Sequence, residues 1–559
     1  MSAMTLAVLL WQPLPSLAEV LFADATEASR LSFEHFNGMS GALYFPEMMG
    51  GGVALFDYDG DGDLDVYLVQ GQMLGGKPVS EATFAPRYSL PLTDRLYRND
   101  LEDGVLRFTD VTTDSGLRAE GYGMGVAAAD YDNDGDVDLY VTNYGANQLW
   151  RNVGDGKFEE VTSEAGVGDA RWSVSSAWVD YDRDGWLDLY VGNYVGYSFT
   201  NPKPCRSSTS ARDYCSPLVY EPQVDSLFRN RGDGSFEDVS ASAGIRKAYG
   251  GALGVVAADF NGDRWPDIYV ANDGVANQLW INGAGGAFSD EAVMAGVGVN
   301  MDGSPEASMG VDAADFDGDG DEDLFMTHLS RETNTLFVND GKGWFEDRTV
   351  AMGLANPSFA STGFGTAWFD YDNDGWLDLL VANGAVTRIE DQLMAKEPYP
   401  LRQPNQLFRN GGDGRYQEVT AEAGSAFALS LVSRGAAFGD LDQDGDSDVV
   451  IVNNAGPAQL LLNMTGDSSN WVGLRLLTVD GVRDAYGARV VLEGEQPLWR
   501  RSRADGSYAS SNDPRVLFGL GDTTTDRVSV RVIWPDGKQE HFPDLAVARY
   551  HVLRQSPDP

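Results

Sequence analysis

The chain has 559 residues, enough for one large repeat domain and a smaller second one, and its formal net charge is −45. This acidity argues against nucleic acid as a partner, because the phosphate backbone would be repelled. A hydrophobic fraction of 43% argues against a disordered acidic chain and for a packed core.

Residues 1–18 have the pattern of an export signal peptide. The apolar run Leu6–Trp11 precedes Ser16-Leu17-Ala18, which resembles a small-x-small cleavage site, although no Lys or Arg precedes the run. No later segment approaches 18 uninterrupted apolar residues, so no transmembrane segment is predicted. The sequence therefore predicts an exported protein, either periplasmic or extracellular.

A nine-residue acidic pattern recurs along the chain, and its second copy is Asp130–Asp138. Carboxylates at positions 1, 3, 5 and 9 suit a hard cation such as Ca²⁺, which takes six to eight oxygens at about 2.3–2.6 Å. The backbone carbonyl of Asp136, at position 7, would add another ligand, and Gly135 at position 6 permits the sharp turn. Seven aligned copies argue against chance and predict up to seven bound Ca²⁺ ions.

The predicted calcium ligands occupy positions 1, 3, 5 and 9 of the seven loops. They are Asp57, Asp59, Asp61 and Asp65; Asp130, Asp132, Asp134 and Asp138; Asp180, Asp182, Asp184 and Asp188; Asp259, Asn261, Asp263 and Asp267; Asp315, Asp317, Asp319 and Asp323; Asp370, Asp372, Asp374 and Asp378; and Asp440, Asp442, Asp444 and Asp448. The fourth loop departs from the pattern, because Asn261 replaces a carboxylate and Arg264 replaces the glycine. Helical flanks and a Glu at position 12 are absent, which excludes EF-hands.

Short apolar runs flank each loop, as Val126–Asp130 and Leu139–Asn143 do in the second unit. Their β-branched and aromatic residues are typical of buried strands. A third run, Gln148–Asn152, is followed by a Gly-Asp-Gly hairpin signal and a fourth run, Phe158–Thr162. One unit therefore holds about four antiparallel strands, which is typical of a propeller blade.

The last unit lacks a fourth strand after Asn463, whereas the N-terminal run Leu21–Thr26 matches that strand and has no loop before it. The simplest topology lets the N-terminal strand complete the last blade, which removes the exposed sheet edges. The sequence thus predicts an all-β fold: a seven-bladed integrin-α-like β-propeller over residues 20–465. An open superhelical array of the same units is the competing topology.

Three long insertions interrupt the units between the second and third strands, at residues 71–94, 194–225 and 384–405. Insertions at one position of a repeat cluster on one face, often the binding face, although they can also be tolerated surface excursions. Cys205 and Cys215 lie in the second insertion, and in an exported protein they predict a local disulfide. A binding function predicts that aromatic side chains of this insertion are exposed: Tyr194, Tyr197, Phe199 and Tyr220.

The repeat ends near residue 465, and residues 466–556 predict a second, all-β domain, a small β-sandwich. Its strand-like runs are Trp471–Leu477, Ala488–Leu492 and Val528–Trp534, with a turn at 535–537. Four short motifs characterise this tail: Asp484–Arg489, Gly506–Tyr508, Phe518–Gly521 and Trp534–Gly537.

The acidic units resemble FG-GAP/VCBS calcium-binding propeller repeats of the integrin-α type, and the four tail motifs resemble the ASPIC/UnbV domain. The combination, which covers nearly the whole chain after residue 18, is similar to bacterial members of the cartilage acidic protein family. The resemblance implies a calcium propeller outside the cytoplasm, and it transfers fold and metal rather than function. Arg264 departs from the family motif and places the fourth site in doubt.

Three classes of function are compatible with these features. The first is a binding or adhesion module whose insertions contact a protein, a glycan or a cell-surface ligand, with calcium in a structural role. The second is an enzyme that uses the propeller face or channel, for example for cyclisation or alkylation chemistry. No catalytic residues are assigned, because His35, His328, His541 and His551 fit no recognisable triad or metal motif. The third is a structural surface or matrix component.

Overall fold

The computed structural model describes residues 21–200, 203–206, 210–465, 470–479 and 481–557. The predicted export signal lies outside these residues. Strands and turns make up nearly all of the described chain, and none of its helices is long and apolar enough to cross a membrane. The prediction of an all-β protein is therefore confirmed.

Seven four-stranded antiparallel sheets, which we number 1 to 7, form the larger part of the molecule. Strand β1 (Phe22–Asp24) precedes them in the chain and belongs to sheet 7. The strands of the first three sheets are β2 (Val53–Phe56), β3 (Asp65–Leu68), β4 (Arg95–Asn99) and β5 (Phe108–Asp110); β6 (Gly123–Ala129), β7 (Asp138–Asn143), β8 (Gln148–Asn152) and β9 (Phe158–Glu160); and β10 (Ser173–Val179), β11 (Asp188–Asn193), β12 (Ser226–Asn230) and β13 (Phe236–Asp238).

Sheets 4 to 7 repeat this plan. Their strands are β14 (Ala252–Ala258), β15 (Asp267–Asn272), β16 (Gln278–Asn282) and β17 (Phe288–Asp290); β18 (Val311–Ala314), β19 (Asp323–Met326), β20 (Thr335–Asn339) and β21 (Phe345–Asp347); β22 (Gly363–Phe369), β23 (Asp378–Asn383), β25 (Gln406–Asn410) and β26 (Tyr416–Glu418); and β28 (Ser433–Gly439), β29 (Asp448–Asn453), β30 (Gln459–Asn463) with β1. Between the last two sheets, β24 (Gln403–Pro404) pairs with β27 (Ser430–Leu431).

Helices are confined to short segments between strands. The α-helices are α1 (Thr112–Ser115), α2 (Thr162–Ala165), α3 (Ala292–Ala295), α4 (Ala355–Ser358) and α5 (Glu390–Met394). Four 3₁₀ turns span Phe45–Met48, Val79–Glu81, Pro217–Val219 and Ile245–Lys247.

The burial of each strand reflects its place in its sheet. All six residues of β7 are buried, whereas in the outer strand β9 only the first of three residues is buried. The first strands have neighbouring sheets on both faces, so nearly all of their residues are buried without alternation. Apolar clusters fill the space between successive sheets; between sheets 1 and 2 the cluster joins Ala54 and Tyr67 to Val126 and Leu139.

The seven first strands form a closed cycle. Contacts join β2 to β6, and continue through β10, β14, β18, β22 and β28 back to β2. Strand β1 pairs antiparallel with β30, and Phe22 lies opposite Asn463. The N-terminal segment thereby supplies the outer strand of sheet 7.

The C-terminal part contains two further sheets that share one apolar core. Their strands are β31 (Trp471–Leu477), β34 (Val516–Gly519) and β37 (Tyr550–Arg554); and β32 (Arg489–Leu492), β33 (Leu498–Arg501), β35 (Arg527–Ile533) and β36 (Gln539–Ala546). Val472, Val490 and Val530 are fully buried in this core. The predicted C-terminal β domain is confirmed.

One segment of the C-terminal domain enters the space enclosed by the seven first strands. This plug segment, Ser502–Asp513, hydrogen-bonds to every one of them. The bonds pair Ser511 with Val53, Ala509 with Val126, Ala509 with Ser175, Asp505 with Ala257, Ser507 with Val311, Ser507 with Thr366, and Asn512 with Phe438. A Cβ atom on Gly52 would lie 1.7 Å from the carbonyl oxygen of Ala509, so the plug requires glycine there.

Candidate metal centres

Each acidic loop joins the first and second strands of its sheet. In sheet 2, β6 ends at Ala129 and β7 begins at Asp138, the ninth residue of the loop. The residue at position 6 adopts a left-handed backbone, with a φ of 99° at Gly135. Arg264 takes the same conformation at a φ of 75°, which costs a residue with a Cβ about 1–2 kcal/mol.

The loops bring their carboxylates together. Groups of three carboxylate oxygens lie within 4.8 Å of one another, and among these groups are Asp57, Asp59 and Asp61; Asp130, Asp132 and Asp138; Asp180, Asp182 and Asp188; Asp315, Asp317 and Asp323; and Asp370, Asp372 and Asp374. Such an all-oxygen set is the donor chemistry that Ca²⁺ prefers.

The position-3 aspartates provide a test of whether a cation fits. In four loops, one carboxylate oxygen of the position-3 aspartate is buried and has no hydrogen-bond partner among the described residues. These aspartates are Asp59, Asp132, Asp182 and Asp372. Buried polar atoms are ordinarily satisfied, so each of these oxygens needs a partner that the chain does not supply. A cation within the loop would provide that partner.

The position-1 aspartates hold the loops in a compact conformation. The two carboxylate oxygens of Asp130 accept hydrogen bonds from the backbone N–H groups of Asp134 (3.1 Å) and Gly135 (2.8 Å). Burial, together with the nearby charge of Asp134, raises the pKa of Asp130 to about 7. Burial likewise raises the pKa of Asp132 to about 6. A bound cation would oppose both shifts, because it stabilises the ionised carboxylates.

The position-9 aspartates are the most deeply buried acids in the loops. In sheet 3, the carboxylate of Asp188 accepts the backbone N–H of Tyr181 (3.2 Å) and that of Asn230 (2.8 Å). The same pair of bonds is present in every sheet. Position 9 therefore ties the loop to the third strand of its own sheet.

A further asparagine contact ties each loop to the next sheet. The asparagine that ends each third strand donates its side-chain amide to the carbonyl oxygen of loop position 2 in the preceding sheet, at 2.7–3.3 Å. The donors are Asn99, Asn152, Asn230, Asn282, Asn339, Asn410 and Asn463. The acceptor for Asn99 is Leu441 of sheet 7, so the series passes from the last sheet to the first.

Neighbouring loops also contact each other directly through position 4, which is not among the predicted calcium ligands. The side-chain amide of Asn373 donates to the carbonyl oxygen of Gly445 (3.0 Å), and that of Gln443 donates to Gly62 (3.1 Å). In both cases the acceptor is position 6 of the following loop. The signal in the sequence is an amide side chain at the fourth position of an acidic loop.

The C-terminal domain lies against the same loops. Arg500 donates to the carbonyl oxygen of Gly375 (2.9 Å), and Arg515 donates to that of Asp440 (2.8 Å). The phenol of Tyr550 donates to the carboxylate of Asp440 (2.8 Å). The C-terminal domain therefore contacts the seventh loop at both the backbone carbonyl and the side-chain carboxylate of Asp440.

The tryptophans at loop position 7 pack against hairpin glycines of their own sheets. Trp186 lies 2.7 Å from the Cβ position of Gly232, and Trp376 lies 2.5 Å from that of Gly412. Both glycines follow the third strand of the same sheet as their tryptophan, and Trp376 also lies 4.0 Å from the Cβ position of Gly318 in the neighbouring sheet 5. Trp265 instead lies under the guanidinium of Arg183, at 5.1 Å.

The second insertion is folded onto the propeller rather than spread over its surface. Cys205 and Cys215 form a disulfide, as predicted. The prediction of an exposed aromatic face is wrong for Tyr194 and Tyr197, which are buried. The ring of Phe45 packs against both tyrosines, with ring centroids 5.7 Å apart for Tyr194 and 6.2 Å apart for Tyr197. Packing the rings together removes their apolar surface from water.

A small cavity of about 130 Å³ lies beneath this insertion, lined mainly by apolar side chains such as Phe45, Met309 and Phe364. Its polar wall contains Asp273, whose carboxylate accepts a hydrogen bond from Tyr194. Burial raises the pKa of Asp273 to about 7. No histidine is among the described residues that line this cavity.

The two histidines of the propeller, His35 and His328, are buried. Burial lowers the pKa of His35 to about 3 and that of His328 to about 4. His328 lies 3.0 Å from the hydroxyl of Ser308, while the backbone N–H of Ala455 donates to His35 (3.3 Å). His541 and His551 lie in the C-terminal domain, beside Glu493 and the carbonyl oxygen of Ala546.

Comparison with known proteins finds two matching families and several related proteins. The FG-GAP-like repeat family matches residues 130–191, 218–270, 259–326 and 315–381, and the ASPIC and UnbV family matches residues 479–558. Cartilage acidic protein 1 of Mus musculus is 29% identical over 331 residues, which cover 57% of this chain and 47% of the relative. The Homo sapiens protein is 29% identical over 335 residues, covering 57% and 46%.

The chain spans about half the length of the curated relatives it matches. Among solved structures, YCF48 bound to D1 peptide aligns with 8% identity and a TM-score of 0.40, over 81% of this chain and all of that one. Saccharomyces cerevisiae Sqt1 aligns with 11% identity and a TM-score of 0.38, over 77% of this chain and all of that one. Alignments at this level carry no argument about function. The family matches and the curated relatives identify the chain as an FG-GAP repeat protein with an ASPIC and UnbV domain, homologous to cartilage acidic protein 1.

Proposed function

We propose that this protein is an exported, calcium-binding propeller that serves as an interaction module, with calcium in a structural role. The observation that carries the calcium proposal is the set of buried position-3 carboxylate oxygens without a hydrogen-bond partner among the described residues. Each lies beside other carboxylates of its loop, where a bound cation would offset the repulsion between the ionised groups.

Calcium would act as a crosslink between the strands that flank each loop. Extracellular calcium modules bind at about 10⁻⁴–10⁻³ M, so tenfold excess calcium would add about 1.4 kcal/mol per site. Seven independent sites would add on the order of 10 kcal/mol, comparable with the net stability of a domain. The departures at Asn261 and Arg264 make the fourth loop the weakest candidate.

The insertion face supplies the surface for a partner. Apolar side chains stand exposed on two insertions: Leu218 is 63% exposed and Met394 is 68% exposed. These two insertions contact each other through the ion pair between Arg388 and Asp213 (3.1 Å), and exposed apolar residues on them support docking of a protein, a glycan or another cell-surface ligand. Export is supported by the disulfide between Cys205 and Cys215 and by the signal-like residues 1–18.

A pull-down from the native host tests the interaction. The bait is the full chain in millimolar calcium, and the comparison bait carries Leu218→Asp and Met394→Asp. We expect the partner captured by the wild-type protein to be lost from the double variant. A matched control, Trp344→Asp, changes a residue that is 56% exposed in the hairpin between β20 and β21, outside the insertions. Equal capture by all three baits would exclude the insertion face as the docking surface.

A further inference from the structure

A second cavity lies between the propeller and the C-terminal domain, away from the insertion face. Its volume is about 270 Å³, close to the lower end of the range of ligand pockets. Trp178 and Ala257 of the propeller form one side, and Trp499 and Trp534 of the C-terminal domain form the other. The third and fourth acidic loops border it.

Two arginines without ion-pair or hydrogen-bond partners for their side chains, among the described residues, stand at this cavity. Arg183 is position 4 of the third loop, and Arg264 is the residue that replaces glycine in the fourth. Both guanidinium groups approach the turn at Gly537, with nitrogen atoms 3.4 and 3.5 Å from its Cβ position. Two like charges held at one turn indicate that an anion is the missing partner.

Deeper in the cavity wall, two buried donors are also unsatisfied. Arg501 binds Glu322 through Nε (3.1 Å) and the carbonyl oxygen of Ala257 through Nη1, but its buried Nη2 has no partner in the described chain. Its side chain is 8% exposed. Trp534 is 1% exposed, and its Nε1 is likewise unpartnered. A buried donor left unpaired is costly, so these atoms call for acceptors from a ligand.

Two unsatisfied acceptors lie on the same wall. Glu322 Oε2 and Asp505 Oδ1 are buried and accept no hydrogen bond from described residues. A ligand that fits must therefore bring hydroxyl donors as well as acceptors. An inorganic anion at neutral pH offers acceptors but few donors, whereas a polyol offers both.

The charged and aromatic side chains that line the cavity further restrict the class of ligand that fits. Five arginines line the cavity against four carboxylates, so a single negative charge is balanced but a polyphosphate is not. The half-buried Trp499 lines the cavity, and the guanidinium groups of Arg489 and Arg531 lie 4.9 and 5.7 Å from its ring centroid. Flat aromatic surfaces pack against the C–H faces of sugar rings through apolar contact.

We propose that this cavity binds an acidic monosaccharide unit of the hexuronate type. Its carboxylate meets Arg183 and Arg264, its hydroxyl groups meet the buried donors and acceptors, and its ring packs beside Trp499. This site is separate from the insertion face, so it does not depend on the partner proposed there.

Isothermal titration calorimetry on the full chain in millimolar calcium tests the site. The probes are glucuronate, galacturonate, glucose and inorganic sulfate. We expect at least one hexuronate to bind about tenfold more tightly than glucose and sulfate, because only it provides both charge and hydroxyls. Failure of both hexuronates to bind, or equal binding of glucose or sulfate, would overturn the proposal.

Variants separate this site from general charge effects. Arg183→Gln with Arg264→Gln should weaken hexuronate binding about tenfold and change the melting temperature little, because the two guanidinium groups lose no ion pair or hydrogen bond among the described residues and only the contact of Arg183 with the Trp265 ring is removed. Trp534→Phe, which removes one buried donor, should weaken binding independently. The matched control, Arg415→Gln, changes an exposed arginine outside the cavity and should leave affinity unchanged. Wild-type affinity in both cavity variants would refute the assignment.

Discussion

The side-chain amide of Asn230 donates to the carbonyl oxygen of Tyr131 at 2.9 Å, and so joins sheet 3 to the acidic loop of sheet 2. The backbone N–H of the same residue donates to Asp188 at 2.8 Å, within its own sheet. One residue thus couples two neighbouring loops. The same pattern at seven asparagines couples each sheet to its neighbour around the cycle.

This coupling predicts a large effect of Asn230→Ala. The substitution removes the bonds to the carbonyl oxygens of Tyr131 and Leu187 and leaves both buried acceptors short of a donor. We expect the free energy of unfolding to fall by about 2–3 kcal/mol, measured by denaturant titration. Arg231→Ala, on the exposed surface one residue further, should change it by less than about 1 kcal/mol. Equal effects of the two substitutions would refute the coupling.

Calcium removal should loosen the protein. We expect EDTA to lower the melting temperature, because the acidic loops then lose the cation that offsets the repulsion between their carboxylates. Differential scanning calorimetry in millimolar calcium and in EDTA makes the comparison. An unchanged melting temperature would contradict a structural role for calcium.

A single loop can be tested through Asp132, whose buried oxygen has no partner in the described structure. Asp132→Ala should reduce the number of bound calcium ions by one, measured by atomic emission after dialysis, because it removes a ligand. Asp136→Ala is the matched control, since position 7 would contribute its backbone carbonyl. Loss of one ion in both variants, or in neither, would contradict the predicted ligand set.

The plug segment predicts that the C-terminal domain stabilises the propeller. Tyr508 is fully buried, its ring packs on Phe364 with centroids 4.9 Å apart, and its hydroxyl donates to the carbonyl oxygen of Met49 (3.2 Å). We expect Tyr508→Ala to cost about 3–5 kcal/mol in unfolding free energy, the range for large buried aromatic residues. Tyr249→Ala, at an exposed tyrosine, should cost less than about 1 kcal/mol. A small effect of Tyr508→Ala would show that the plug contributes little.

Glu47 predicts a pH dependence of stability. Its side chain is fully buried and binds the hydroxyl of Tyr214 (3.1 Å), and burial raises the pKa of Glu47 to about 7. The folded state therefore binds this proton more tightly than the unfolded chain, in which the pKa is about 4.5. The resulting stabilisation, on the order of 3 kcal/mol, is full below about pH 4.5 and is lost as the pH rises through about 7.

Glu47→Gln removes this titration and keeps an acceptor for Tyr214. We expect the variant to become more stable relative to the wild type as the pH rises from 5.5 to 8.5, because only the wild type loses the stabilisation from the Glu47 proton. The unfolding free energies of both proteins are measured in saturating calcium. Glu27→Gln, at an exposed position, is the control and should show no such difference. A constant difference for Glu47→Gln across this range would contradict the assigned pKa.

Much of this protein follows from its sequence alone. The spacing of aspartates within each nine-residue loop, and the apolar runs on either side, specify local turns and strands, because both depend on short-range backbone preference and burial. The N-terminal run Leu21–Thr26 could be assigned to the last unit because that unit lacks an outer strand. The disulfide followed from two cysteines ten residues apart in one insertion.

Other features were decided only by the tertiary structure. The asparagine contacts, the amide contacts between loops and the plug segment join residues far apart in the chain, and no local pattern specifies such distances. Tyr194 and Tyr197 were expected on the surface, but packing against Phe45 places them inside. The arginine-lined cavity arises where the C-terminal domain lies against the third and fourth loops, which supply Arg183 and Arg264. Short-range preferences set the repeating unit, whereas burial between units decides which side chains meet.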